Sequence, residues 1–212
     1  MRIAIVRHGQ TNWNKERRIQ GQTDVPLNEV GRQQSARAAE VLAAQTRFTS
    51  EAKPMIVSSP LKRTRETAAI IHGKLTSAGL NLGAQTGLEG SGGLEEPEIE
   101  LDEELVERYF GAAEGLPVDE AKKTWPNLEV PDAESRDELA ERSAKALSDF
   151  VQFAPGMIVV SHGAWIRAGL KRLTGADIPR VLNGEVWILE AHGDGENLKF
   201  TAESLGPETE ER

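Results

Sequence analysis

Apolar positions in this chain gather into three short runs, Ile3-Ala4-Ile5-Val6, Pro54-Met55-Ile56-Val57 and Met157-Ile158-Val159-Val160. Each run is rich in β-branched residues, bounded by turn formers and too short for a helix, so each predicts a fully buried strand. Each also ends in a polar cluster: Arg7-His8-Gly9, Ser58-Ser59-Pro60 and Ser161-His162-Gly163. Between the runs the apolar spacing becomes helical. Asn28 is placed to cap a helix from Glu29 to about Ala44, in which Gly31 is a weak spot. Ser59 as N-cap, with Pro60 at the first helical position, predicts a second helix to about His72. Ser135 and Glu138 have capping-box spacing, followed by one apolar face through Leu139, Ser143, Ala146, Leu147, Phe150 and Val151. A further helix follows Gly163 with Ile166, Leu170 and Leu173 turned inward. Glu185 to Glu190 and Leu198 to Glu203 read as two closing strands joined through Gly193-Asp194-Gly195. Strands alternating with helices predict an α/β fold with a largely parallel sheet, whose ligands collect beyond the carboxyl ends of the strands. All three polar clusters sit there.

Residues 75–100 fit no regular element. Glycines punctuate them and acids fill the rest, the pattern of a partly mobile surface excursion. Residues 1–205 are read as one domain, with this loop and an inserted lobe inside roughly 75–150, and 206–212 as an acidic, frayed tail.

The 212 residues carry a net charge of −9, with 38% hydrophobic and 28% charged positions. That mixture supports a buried core and argues against global disorder. The charge is unevenly spread: residues 1–88 carry a net +7, 89–107 a net −9, and the remainder −7. A local anion site in an acidic molecule follows; a nucleic-acid surface would need a broader basic footprint. No apolar run approaches the roughly 18 residues of a membrane span, and the first residues are too short for a signal-peptide core, so cytoplasmic localisation is expected. With no cysteine in the chain, disulfides, thiolate catalysis and cysteine-ligated zinc are excluded.

Two histidines at strand ends, each followed by glycine, are the main chemical signal. Neutral imidazole is a competent nucleophile toward phosphorus, and adjacent arginines would keep it neutral while binding phosphate. Arg7, Arg63, His8 and His162 can converge on one phosphate, with Arg63 one turn into a helix whose N-terminus favours anions. An ester leaving group then needs a carboxylic acid. The acidic segment offers several; Glu107 stands out before an aromatic pair and a glycine, and Glu103 and Glu104 lie close by. Trp165 fits a substrate pocket or the core equally well, Trp13 suits packing behind the phosphate loop, and His72 and His192 match no motif.

Arg7-His8-Gly9-Gln10-Thr11 with Trp13-Asn14 resembles the signature of the histidine phosphatase superfamily, the phosphoglycerate-mutase-like proteins. The resemblance continues through Gln20-Gly21, Asp24 to Asn28, Gly31, Ser59 to Thr64 with Thr67-Ala68, Glu107 to Gly111, Glu114-Gly115, Glu134-Ser135 and Ser161-His162-Gly163, in family order over nearly the whole chain. It implies a three-layer α/β fold, a mixed and mainly parallel sheet flanked by helices, with a small helical lobe inserted between the second and third runs. It further implies that His8 is the phosphorylated nucleophile, that Glu107 is the general acid and then base, and that His162 acts with them. Arg7, Thr11, Asn14, Gln20, Gly21, Arg63 and the Gly163 amide would bind phosphate or substrate. No metal and no cofactor are implied.

Cofactor-dependent mutases of this superfamily carry a lysine where this chain has Val118, paired arginines where the nearest candidates are Lys122-Lys123, an asparagine at Ala164 and a tyrosine at Phe110. These four departures favour a metal-independent phosphomonoesterase of a small phosphorylated metabolite over a mutase. A non-catalytic phospho-ligand module would normally have lost a histidine or the acid. Neither the substrate nor the oligomeric state can be read from the sequence.

Overall fold

The structure is a computed structural model and describes residues 1–45, 54–80, 82, 99–193 and 197–206. The elements in chain order are β1 (Arg2–Arg7), α1 (Asn12–Lys15), α2 (Glu29–Ala44), β2 (Ile56–Ser58), α3 (Lys62–Ser77), β3 (Glu100–Leu101), α4 (Val118–Thr124), α5 (Arg136–Phe153), β4 (Ile158–Ser161), α6 (Gly163–Thr174), β5 (Val186–His192) and β6 (Lys199–Ser204), with 3-10 turns at Glu103–Leu105 and Gly111–Ala113. The sheet order is β3-β2-β4-β1-β5-β6. β3, β2, β4 and β1 run parallel, while β5 runs antiparallel to both its neighbours, β1 and β6. The mixed, mainly parallel sheet is therefore as expected, with helices on both faces.

Alternation along the strands explains the three layers. Ile3 and Ile5 of β1, with Val57 and Val159, face α5 and α6 and join Leu147, Val151, Trp165, Ile166 and Leu170 in one core. Ala4 and Val6, with Ile56, Ile158 and Val160, face α2 and α3 and join Ala38, Leu42, Ile71 and Leu75 in the other. Strands buried on both faces read as continuous apolar runs because no position faces water. A third, smaller core joins Ala113, Ala121 and Val130, from the stretch between β2 and β4, to Ile19 of the loop after α1, and Phe110, Leu116 and Val118 pack against it.

Several local expectations are met and some are corrected. Asn28 caps α2 by accepting from the Gly31 amide, and Ser135 and Glu138 form a complete capping box. Gly31 is required by contact: a Cβ there would lie 2.1 Å from the Gln10 carbonyl oxygen, and one on Gly9 would lie 2.1 Å from the Gly31 carbonyl oxygen. The loop after β1 thus rests backbone against backbone on α2. Ser59 does not cap α3: the N-cap is Leu61, without a side-chain bond, and the helix begins at Lys62 beyond Pro60. It also runs past His72 to Ser77, so the irregular excursion begins later than residue 75; its residues 83–98 lie outside the described residues, as do 194–196 of the β5–β6 turn and 207–212 of the tail. β3 was not anticipated: two exposed residues at a sheet edge leave no hydrophobic signature. No described helix is long and apolar enough to cross a membrane.

Candidate active site

Parallel strands bring the three polar clusters to one edge of the sheet. Arg7 pairs with Ser161 and Ser58 with Val160. One residue further, the His8 amide donates to Ser161 O at 3.0 Å and the Ser59 amide to Val160 O at 3.1 Å. The rings of His8 and His162 meet edge to face, with centroids 5.2 Å apart.

The two imidazoles carry their protons on different nitrogens. His8 Nδ1 lies 2.7 Å from Gly9 O, and a carbonyl only accepts, so Nδ1 holds the proton and Nε2 keeps its lone pair. In His162, Nδ1 accepts from Arg63 Nε at 3.3 Å, which puts the proton on Nε2, facing Ser59 Oγ at 2.9 Å. Both rings are buried. Burial first, then the charges of Arg63 and Arg7, hold the His8 pKa well below its usual value; burial, Arg63, His8, Arg7 and Arg142 do the same for His162.

Arg63, fully buried on the first turn of α3, donates through Nη1 to Thr23 O at 2.8 Å and through Nη2 to Gly21 O at 2.7 Å. Burial lowers its pKa to about 10, against the opposing pull of Glu107, Asp24 and Glu114, so it stays charged. Arg7 donates to Val181 O at 2.8 Å, and its guanidinium lies where a Cβ on Gly163 would touch it, at 3.0 Å from Nε. Glycine at 163 is what lets that charge approach the start of α6.

Asn14 closes a capping box with Thr11 at the start of α1. Its Oδ1 faces the Thr11 amide, the Thr11 hydroxyl and Asn183 Nδ2, so its capacity for a ligand resides in its amide nitrogen. Thr11 Oγ1 also lies 2.9 Å from Gln20 Oε1, which orients Gln20. These residues line the loop between β1 and the lobe, stitched together by the Ile19 amide on Leu116 O and the Gly115 amide on Ile19 O. Trp13 lies against Gly115 in that seam.

Glu107 sits at the N-terminus of α6. Its carboxylate accepts from the amides of Ala164 at 3.2 Å, Trp165 at 3.1 Å and Arg108 at 3.0 Å. Of the three acids in this stretch it is the one so held; Glu103 and Glu104 are exposed. Trp165 is a core residue, fully buried with Nε1 on Glu104 O. His72 is half-buried on α3, and His192 is exposed beside Glu190 and Thr201.

Four residues that the sequence reading gave no role hold this cluster in shape. Asn183 Nδ2 donates to His8 O at 3.0 Å. Thr67 Oγ1 accepts from the Gly9 amide at 3.1 Å. Arg142, paired with Glu134, reaches the carbonyls of Glu104, Val106 and Glu107 and so fixes the loop bearing Glu107. Glu114 accepts from the amides of Gln22, Thr23 and Phe110 and from the Thr23 hydroxyl, tying the lobe to the strand of chain that clamps Arg63.

A buried imidazole with a bare Nε2, a second imidazole presenting N–H, two guanidinium groups and a carboxylate on a helix N-terminus form a site for an anion that can be attacked. Comparison with known proteins agrees. The chain is 33% identical to a phosphoglycerate mutase-like protein of Arabidopsis thaliana over 94% of its length and 87% of the relative's. It is 34% identical to a metal-independent phosphoserine phosphatase from the same plant, over 92% and 82%. Among solved structures, a mycobacterial glucosyl-3-phosphoglycerate phosphatase complexed with vanadate superposes with a TM-score of 0.71 at 25% identity, over 97% of this chain and 98% of that one. The model of the histidine phosphatase superfamily, branch 1, matches residues 3–203. With motif order, strand topology and paired histidines in agreement with that match, this chain belongs to the histidine phosphatase superfamily.

Proposed function

We propose that the chain is a metal-independent phosphomonoesterase that passes a phosphoryl group through His8. The observation that carries this reading is the hydrogen bond from His8 Nδ1 to Gly9 O, which leaves Nε2 as a buried, unprotonated nucleophile beside two guanidinium groups. With Glu107 entering the step protonated, His8 Nε2 forms a bond to phosphorus as the ester P–O bond breaks, and the departing oxygen takes that proton from Glu107. Glu107, now a carboxylate, takes a proton from water as the water oxygen attacks phosphorus; the P–N bond breaks and the imidazole regains its lone pair. Arg7, Arg63 and the Asn14 amide hold the phosphoryl oxygens, while His162 transfers its Nε2–H bond from Ser59 to one of them. The two arginines supply the positive charge that a divalent ion supplies in other phosphoryl transfers, with His162 adding a neutral N–H donor, and the arginines' charge disfavours cation binding at the same place.

Hydrolysis is favoured over isomerisation by what stands at the departures from the mutases. Val118 packs against the lobe core, Lys122 and Lys123 are exposed, and Ala164 at the start of α6 has no group to hold a second carboxylate. The test is rapid quench with a labelled phosphomonoester in the presence of chelator, followed by assay for free phosphate. An acid-labile, alkali-stable phosphoenzyme and phosphate release are expected; loss of activity with chelator and recovery with magnesium would reject metal independence, and isomerisation of 3-phosphoglycerate would reassign the protein as a mutase. Glu107→Gln is expected to slow the phosphorylation burst with an alkyl phosphate by about 10²–10⁴-fold, with much less effect on p-nitrophenyl phosphate, whose leaving group needs no proton. Equal burst losses would remove the acid role from Glu107.

A further inference from the structure

Beside the phosphoryl site lies a cavity of about 780 Å³ between the first turn of α5, one face of α6 and the lobe. Arg108, Arg136, Arg167, Lys171 and Arg172 line it, against a single acid, Asp137. Between these charges the wall is apolar, from Phe110 and Leu128 of the lobe and Leu139 and Ala168 of the helices. Two of its wall residues adjoin Glu107: the amides of Arg108 and Ala164 both donate to the Glu107 carboxylate.

The cations of this wall outnumber its acids, with Glu134, Glu107 and Glu129 close enough to Arg108 to favour its charge. Among the described residues their ion pairs amount to one contact of 3.9 Å, between Lys171 and Asp177. Arg108, Arg136 and Arg167 are oriented instead by backbone carbonyls, of Glu134 and Leu128, of Asn127 and of Ile178. Burial, and then the nearby charge of Arg136, holds the Arg108 guanidinium below its ordinary pKa. Lys171 and Arg172 complement the dipole at the end of α6 and need no other explanation. Arg136 has no such reason, because it occupies the first position of α5, where the dipole opposes a cation.

We propose that this cavity receives the leaving group, and that the substrate is an elongated phosphomonoester, apolar in its middle and anionic at its far end. The proposal rests on the phosphomonoesterase reading, in which the leaving oxygen departs at Glu107. At about 1.5 Å of rise per residue, Arg167 stands about 4–5 Å beyond Ala164 along α6, and Lys171 and Arg172 about 10–12 Å beyond it. A short phosphorylated acid ends before the outer pair; a chain of about ten carbons spans the apolar wall and reaches it.

The test separates binding from turnover. Calorimetric titration of the His8→Ala protein with a ten-carbon ω-carboxyalkyl phosphate is compared with decyl phosphate and with a three-carbon ω-carboxyalkyl phosphate. The long carboxylate is expected to bind about tenfold more tightly than either, as one charge-assisted contact in a partly desolvated wall allows. Lys171→Gln/Arg172→Gln, a change at exposed positions of α6, is expected to erase most of that margin. Equal affinities for the three compounds, or a margin that survives this double variant, would overturn the proposal. Turnover of the same compounds by the unmodified protein reads the other question: bound but unhydrolysed compounds would sink the phosphatase reading while leaving the cavity assignment intact.

Discussion

The ends of β1 and β4 are near copies, each a buried strand running into His-Gly, paired side by side in parallel. They nevertheless present opposite chemistry. At His8 the neighbour of Nδ1 is a carbonyl, so the ring offers a lone pair; at His162 it is the Nε–H of Arg63, so the ring offers a proton. In the proposed mechanism the attacking and the donating histidine are thus told apart by what touches Nδ1, since burial and charge depress both rings alike. The same residue type in the same backbone setting offers a lone pair or a proton through one hydrogen bond.

The most severe way to break the comparison is His8→Ala. Loss of turnover on the order of 10⁵–10⁶-fold is expected, as for removal of a nucleophile elsewhere, together with loss of the phosphoenzyme. A His8→Ala protein that still labels would exchange the two roles. His162→Ala should cost on the order of 10²–10³-fold, the value of one preorganised donor, while the protein still labels at His8. Rapid-quench labelling of the two variants side by side checks both statements.

A shared property gives a third expectation, in stability. Both rings stay neutral in the folded state at pH values where an unfolded histidine, with a pKa of about 6.5, takes up a proton. The unfolded state then binds more protons, so stability rises with pH in that window and is lost as pH falls below about 6.5 toward the lower folded values. The urea midpoint should fall between pH 7 and pH 5, and fall less in a His8→Gln/His162→Gln variant; an unchanged pH dependence in that variant would mean the rings do not carry the effect. The smallest effect sharpens the contrast. Ser59→Ala removes the resting acceptor of His162, an uncharged contact worth about 0.5–1.5 kcal/mol, so inorganic phosphate should inhibit several-fold more tightly. Weaker inhibition would mean that the Ser59 hydroxyl itself contacts phosphate.

Ser59 also shows where sequence reading stops. A hydroxyl followed by proline is the pattern of a helix start, and nothing local says that this hydroxyl is used 103 residues away on His162. Strands such as Ile3 to Val6 were legible because burial on both faces leaves an unbroken apolar run. The capping box of α5 was legible because both partners lie within four residues. Asn183 and Arg142 were silent because they bond carbonyls dozens of residues away in the chain, which impose no pattern on neighbouring positions; Glu114 fell within the resemblance but its role, holding Gln22 and Thr23, did not. The resemblance singled out Glu107 over Glu103 and Glu104, and the fold supplies the physical difference, since α6 brings its first amides to that one carboxylate. β3 was silent for a plainer reason, being two exposed residues that pair through backbone alone.

Glu114 couples two parts of the molecule. One carboxylate from the lobe grips the amides of Gln22 and Thr23, and the carbonyls of Gly21 and Thr23 in turn hold Arg63. The lobe and the segment holding Arg63 are thus mechanically linked, and an outward displacement of the lobe would pull, through this one carboxylate, on the carbonyls that aim Arg63.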